Sequence, residues 1–95
     1  MNKTDTIMWL MRAHETVRKL PESAVINGVD LTLYGNGNRV SIFIDGETEI
    51  GNIVTRQVIR YKDGNSGRVD CSDSNGVVYW WGVDFDDDGH VIPRA

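Results

Sequence analysis

The chain has 95 residues, of which 40% are hydrophobic and 25% are charged, and its formal net charge is −4. This length and composition exclude a disordered chain and predict a single globular domain over 1–95. The charge is uneven, because residues 63–95 carry seven aspartates against only Arg68 and Arg94, a local balance of −5. Nucleic-acid affinity depends on Lys and Arg neutralising phosphates, so this argues against direct nucleic-acid binding and favours a cation or a basic protein surface.

The N-terminal segment predicts one amphipathic helix that ends at Leu20, before Pro21. Thr4 or Thr6 is its expected N-cap. Its apolar arc is wide and contains Ile7, Leu10, Met11, Ala13, Val17 and Leu20. This apolar face is wider than the part of a helix that packs on a small sheet. We expect it to contact a second surface, a homodimer partner or another protein, and the alternative is that flanking loops cover it.

After Pro21 the hydrophobic pattern changes from helical to alternating, which predicts strands. Val29, Leu31 and Leu33 alternate with polar residues before a hairpin signal at 35–38. The segment 77–85 is apolar on both faces, which predicts a central strand. Further strands are predicted at 39–45, 53–62, 68–72 and 90–92.

Short Gly, Asn and Asp turns separate these strands, and two-residue turns join antiparallel strands. The predicted fold is therefore α+β, with one N-terminal amphipathic helix packed on a five- to six-stranded antiparallel meander sheet. The single cysteine, Cys71, cannot form an internal disulfide, and no apolar run has the length of a signal-peptide core or a membrane span. We therefore expect a soluble cytoplasmic protein without membrane association.

An acidic loop near the C-terminus contains Asp84, Asp86 and Asp88, followed by Gly89. These residues resemble the first ligand positions of EF-hand and related DxDxDG loops, and the resemblance implies Ca²⁺ binding. It covers about six residues only, because Ala95 stands where the bidentate Glu belongs. The alternative is that the same residues form only a tight β-hairpin turn. We expect no cofactor other than Ca²⁺.

Two histidines, His14 and His90, are the candidate catalytic groups. His14 falls within the apolar arc of the helix, where a histidine is usually a partly buried core residue. A small enzyme that uses His14 and His90 with Asp or Cys ranks as the second alternative to binding, since no spacing of a known catalytic motif supports it. We therefore expect a protein that is not an enzyme.

Three tryptophans are a large aromatic content for this length, and Trp80 and Trp81 must point to opposite faces of one strand. An exposed tryptophan anchors protein interfaces. The sequence thus favours a non-catalytic module that acts by protein–protein interaction, as an inhibitor or adaptor. In size and charge alone it is similar to small acidic phage-encoded inhibitors of host-defence enzymes. The predicted partner-binding residues are Trp9, Trp80, Trp81, Asp86, Asp87 and Asp88.

Overall fold

The structure, a computed structural model, describes residues 2–32, 39–46 and 48–93. It contains one helix and a six-stranded sheet, so the α+β class is confirmed. The hairpin turn predicted at 35–38 lies outside the described residues. In chain order the elements are α1 Lys3–Arg18, β1 Ile26–Thr32, β2 Arg39–Ile44, β3 Ile53–Arg60, β4 Ser66–Asp73, β5 Val78–Phe85 and β6 Val91–Pro93.

Helix α1 begins one turn earlier than predicted, because Asn2 is its N-cap. The side-chain oxygen of Asn2 accepts a hydrogen bond from the backbone N–H of Asp5 at 2.8 Å. Thr6, an expected cap, lies inside the helix and donates its hydroxyl to the backbone oxygen of Asn2. None of the helices among the described residues has the length and apolar character needed to cross a membrane.

The helix packs on the sheet through a narrower stripe than the predicted apolar arc. Trp9, Ala13 and Val17 contact the core at four-residue spacing, and Leu20 continues the stripe beyond the helix. Ile7, Leu10 and Met11 remain 48%, 53% and 63% exposed, so the alternative that flanking loops cover the whole arc was wrong, and contact with a second surface stays a prediction. A stripe aligned along the axis suffices to cover a sheet, so the rest of the arc faces solvent together with Met8.

The sheet is mixed, so the predicted antiparallel meander was wrong. Its strand order is β1-β2-β5-β4-β3, and β2 and β5 are parallel. The segment 45–52 between β2 and β3 is long enough to carry β3 to the far edge of the sheet. Strands β4 and β5 then return inward by short turns, which places β5 beside β2. The central position predicted for β5 is confirmed, because it pairs with β2, β4 and β6.

Alternation along the central strands separates the two faces of the sheet. Val40, Ile42 and Ile44 of β2 point toward α1 and are at most 1% exposed. Full burial of each such side chain contributes about 1.5–3 kcal/mol. The opposite face of the sheet has no covering helix among the described residues, and we call it the open face. On it lie the alternate residues of β2 and β5, which include Ser41, Phe43, Trp80 and Asp84.

Gly67 is the position where the core tolerates no side chain. A Cβ there would meet the backbone oxygen of Ile59 and the ring of Phe85. We predict that Gly67→Ala lowers the free energy of unfolding by about 3 kcal/mol, the upper range for overpacking. Gly51→Ala is the matched control, since a Cβ at Gly51 has no neighbour within 4 Å. Urea denaturation measures both variants, and equal midpoints would contradict the described packing.

Candidate functional site

The open face centres on two stacked aromatic rings, Phe43 and Trp80. Their centroids lie 4.1 Å apart and their planes differ by 8°. The stack follows from the parallel pairing, since Phe43 and Trp80 are in register on neighbouring strands about 4.8 Å apart. Both rings are half-buried. The sequence indicated that Trp80 points away from Trp81, but Phe43 was missed because its neighbour depends on the topology.

Arg68 of β4 covers the other side of Trp80, with its guanidinium carbon 5.9 Å from the ring centroid. The Nε atom of Arg68 lies 3.1 Å from a carboxylate oxygen of Asp70. This contact is an ion pair without hydrogen-bond alignment, because the buried Nε–H has no acceptor among the described residues. Asp70 is in register with Trp80, so one carboxylate, one guanidinium and one ring form a compact group.

The open face contains a depression of about 350 Å³ that Phe43 helps to line. Gly28 of β1 lies directly opposite Phe43 on the side away from Trp80. A Cβ at Gly28 would have no neighbour within 4 Å, so the space beside the second face of Phe43 is empty of side chains among the described residues. The lining includes Gly28, Asp30, Arg39, Phe43, Arg68 and Trp80.

The acidic loop predicted to bind Ca²⁺ forms the turn between β5 and β6. One side-chain oxygen of Asp86 accepts the backbone N–H groups of Asp88 at 2.9 Å and His90 at 2.8 Å. Gly89 supplies the positive φ of 83° that closes the turn. The hydrogen bond from the His90 N–H holds the pKa of the Asp86 carboxyl below its usual value, with the Asp88 N–H as a smaller cause.

Three ligand groups converge at this turn, and they differ from the predicted set. Among the residues that the structure describes, the side chains of Asp86, Asp88 and His90 place ligand atoms within 4.8 Å of one another. The second oxygen of Asp86 lies 3.5 Å from Nδ1 of His90. Asp84 is not in this group, because it belongs to β5 and points to the open face opposite Ile92. Ca²⁺ binding stays a prediction.

The three predicted tryptophans have different surroundings. Trp81 is only 5% exposed and lies in the core, and its predicted role in partner binding stays a prediction. Trp9 packs half-buried against the core, and the guanidinium of Arg12 lies 4.5 Å from its ring centroid. Trp80 alone of the three lies on the open face. Asp87 and Asp88 are exposed, as a partner contact requires.

The two histidines lie on different elements. His14 is on α1 with 77% of its side chain exposed, so its expected partial burial was wrong; its nearest carboxylate is Glu15, 4.0 Å away. His90 lies on the β5–β6 turn, 79% exposed. Neither histidine lines the depression on the open face or the groove described next.

A polar groove of about 520 Å³ lies between the C-terminal half of α1 and the segment 49–52. The hydroxyl of Tyr79 donates to Asp73 at its base, at 3.2 Å. Burial raises the pKa of Tyr79 well above its usual value, and the charge of Asp73 adds to this effect. The other oxygen of Asp73 accepts the N–H groups of Asn75 and Val77, so this carboxylate already has structural donors.

Comparison of the chain with protein-family models, curated proteins and solved structures finds no match. The site is therefore interpreted from its geometry alone.

The β5–β6 turn generates a prediction with an internal control. Asp86→Ala removes the acceptor for two backbone N–H groups and should destabilise the turn by about 1 kcal/mol. Asp86→Asn keeps a carbonyl oxygen at that position and should preserve the turn. Amide hydrogen exchange at His90 measures the difference, and equal protection in both variants would contradict the turn geometry.

The lowered pKa of Asp86 also fixes the direction of a pH effect. A carboxyl whose folded pKa is depressed stabilises the fold above its unfolded pKa, about 4, and loses that contribution as pH falls through the folded pKa. We expect the NMR amide resonances of Asp88 and His90 to move with an apparent pKa below that of a free Asp. Asp86→Asn should abolish this transition.

Proposed function

We propose that the protein is a non-catalytic module that binds another protein through its open face. The observation that carries this proposal is the Phe43–Trp80 stack, half-buried at the centre of a sheet face that no described helix covers. Tryptophan is enriched among residues that dominate binding energy, and these lie in the centre of interfaces.

The surroundings of the stack support the same interpretation. Polar and charged groups, Asp30, Arg39, Arg68 and Asp70, lie around the aromatic pair at the depression. An apolar centre with a polar rim is the usual arrangement of a protein interface. Side chains that stabilise only the sheet need no such rim, although the stack itself also contributes about 0.5–1.5 kcal/mol to stability.

The charge of the chain favours a partner with a basic surface. The net charge is −4, and Asp87 and Asp88 are exposed at the β5–β6 turn. Acting in the cytoplasm as an inhibitor or adaptor, such a module would cover a basic surface of its partner. The exposed helix residues Ile7, Met8, Leu10 and Met11 form a second apolar surface, and homodimerisation through them stays a prediction.

Truncation of Trp80 tests the proposal. Trp80→Ser should leave the fold intact at a cost of about 3 kcal/mol, of which about 1 kcal/mol is the lost stack and the rest the lost burial of the ring, and should weaken partner capture more than tenfold. Tagged protein is incubated with extract of the cells that produce it, and bound proteins are quantified by mass spectrometry. Val25→Ser, at a 53% exposed position outside the depression and outside the apolar helix surface, is the control and should capture as wild type does.

Two results of this experiment would contradict the proposal. One is capture of the same protein by wild type and Trp80→Ser in equal amounts. The other is a wild-type protein that enriches nothing over the tag alone.

A second candidate function, a divalent-cation site, is favoured by the convergence of Asp86, Asp88 and His90. Two carboxylates and an imidazole suit Zn²⁺ and similar metals better than Ca²⁺, which prefers oxygen ligands alone. Asp86 would then serve both the turn and the cation, since its two oxygens face different groups.

Metal-dependent stability tests this candidate. If the site binds, millimolar Ca²⁺ or micromolar Zn²⁺ should raise the melting temperature relative to EDTA, because a ligand of the folded state stabilises it by mass action. Asp88→Asn should abolish the shift, while Asp87→Asn, which changes a neighbouring carboxylate outside the group, should retain it. Equal shifts in the two variants would indicate nonspecific binding to the acidic turn.

A further inference from the structure

The space beside the free face of Phe43 is wide enough for one more planar group to stack on the ring. One face of the Phe43 ring contacts Trp80, and the other is directed toward β1, where Gly28 lies opposite. Neighbouring strands are about 4.8 Å apart, close to the separation of stacked planar groups. Because a Cβ at Gly28 meets nothing within 4 Å, a flat group fits above Gly28 and continues the series Arg68, Trp80, Phe43.

The carboxylate nearest this space is Asp30, two residues from Gly28 on the same face of β1. It lies roughly 7 Å along the strand from Gly28. Arg39 also lines the depression, but its backbone position is four residues from Phe43 on β2, roughly 13 Å along that strand and two residues beyond Ser41, which lies opposite Asp30. By backbone position, Asp30 is therefore the charged residue of the lining nearest to Phe43 on the side of β1.

We propose that this space, the Gly28 slot between Phe43 and Asp30, receives an arginine side chain of a basic partner protein. The inference rests on the proposed binding function of the open face. A guanidinium is planar and weakly hydrated, stacks on aromatic rings and pairs with carboxylates in a bidentate fork. It meets both requirements of the slot, a flat group and a positive charge.

The chain contains a related arrangement on the opposite side of the stack. There, the Arg68 guanidinium lies over Trp80 and its Nε lies 3.1 Å from Asp70, which is directly opposite Trp80. The Gly28 slot presents Phe43 in place of Trp80 and, one position along the same face, Asp30 in place of Asp70, while Arg39 of the same lining is four residues along β2 from Phe43. A partner arginine would complete a stack with a guanidinium at each end.

Other occupants fit the slot less well. A nucleobase would stack on Phe43, but its phosphates would approach Asp30 and Asp70 on a chain of net charge −4. A lysine ammonium would pair with Asp30 but has no plane to stack on the ring.

NMR titration of the full chain tests the proposal with three probes: a blocked Gly-Arg-Gly peptide, its Gly-Lys-Gly counterpart and a short oligothymidylate. The arginine peptide should shift the indole N–H of Trp80 and the amide of Gly28 in a saturable manner at millimolar concentration. The lysine peptide should bind at least fivefold more weakly, and the oligonucleotide should leave these signals unchanged.

Gly28→Val places a branched side chain in the slot. Gly28 does not have a positive φ and a Cβ there meets nothing within 4 Å, so we expect the backbone to accept a β-branched residue beside the irregular pairing between Ile26 and Gly28. The variant should keep or raise the melting temperature and lose the response to the arginine peptide. Gly51→Ala, an open position away from the depression, is the control and should respond as wild type does. Asp30→Asn should weaken the response severalfold.

Three outcomes would overturn the proposal: no response to the arginine peptide, an equal response to the lysine peptide, or saturable binding of oligothymidylate at Trp80. Retention of the arginine response in Gly28→Val would also overturn it. The proposed protein-binding function is tested by a different measurement, namely whether Trp80→Ser loses a protein that the wild type captures. Loss of capture without an arginine response would leave the binding face in place and exclude only the arginine slot.

Discussion

The parallel pairing of β2 with β5 is the constraint on which the rest of the structure depends. It joins Ser41, Ile42 and Phe43 to Val78, Tyr79 and Trp80 in register. It makes β5 the centre of the sheet and leaves β1 and β3 as the two edges. Strand β6 pairs with the C-terminal part of β5, Val83–Phe85, whereas β2 pairs with Val78, Tyr79 and Trp80 of the same strand. A meander order would have placed β3, with its own side chains, beside Phe43.

The same pairing gives the two faces of the sheet different roles. Alternation along β5 puts Trp81 into the core and Trp80 on the open face, so the two adjacent tryptophans lie in different environments. The covered face carries the large buried side chains that stabilise the fold. The open face carries two half-buried rings, and parallel register aligns them face to face. The core that stabilises the fold and the surface proposed for binding therefore lie on opposite faces of one strand.

Local periodicity predicted the elements well, and it failed where the answer depended on distant parts of the chain. Alternation identified β2, because its buried side chains leave a period of two in the sequence, and the apolar character of both faces of 77–85 identified the central strand β5. The strand order depends on whether β3 pairs beside β2 or at the far edge of the sheet, and no local sequence pattern specifies this. Phe43 was missed for the same reason: its outward direction was readable, but its neighbour Trp80 was not.

The helix shows a second limit of sequence patterns. The hydrophobic pattern placed Ile7, Leu10 and Met11 in one wide apolar arc with Ala13, whereas the structure buries only the stripe that contains Trp9 and Ala13. When a helix is apolar around most of its circumference, the pattern cannot select which residues meet the sheet. The remaining apolar residues on α1 consequently lie on the surface.

The distribution of acidic residues changes which charges are available to a partner. Three aspartates of the acidic C-terminal third are acceptors within turns: Asp63 for Asn65 and Ser66, Asp73 for Asn75 and Val77, and Asp86 for Asp88 and His90. Turns that combine an Asp acceptor with a positive-φ glycine explain much of the composition.

The count of charges along the sequence therefore does not show which carboxylates have room for an ion pair with a partner. Asp70, also in the acidic third, is paired with Arg68. Asp30, from the nearly neutral first part of the chain, lies instead beside the aromatic pair at the depression. Complementarity to a basic partner is thus better sought where a carboxylate adjoins an open aromatic face than where aspartates are most frequent in the sequence.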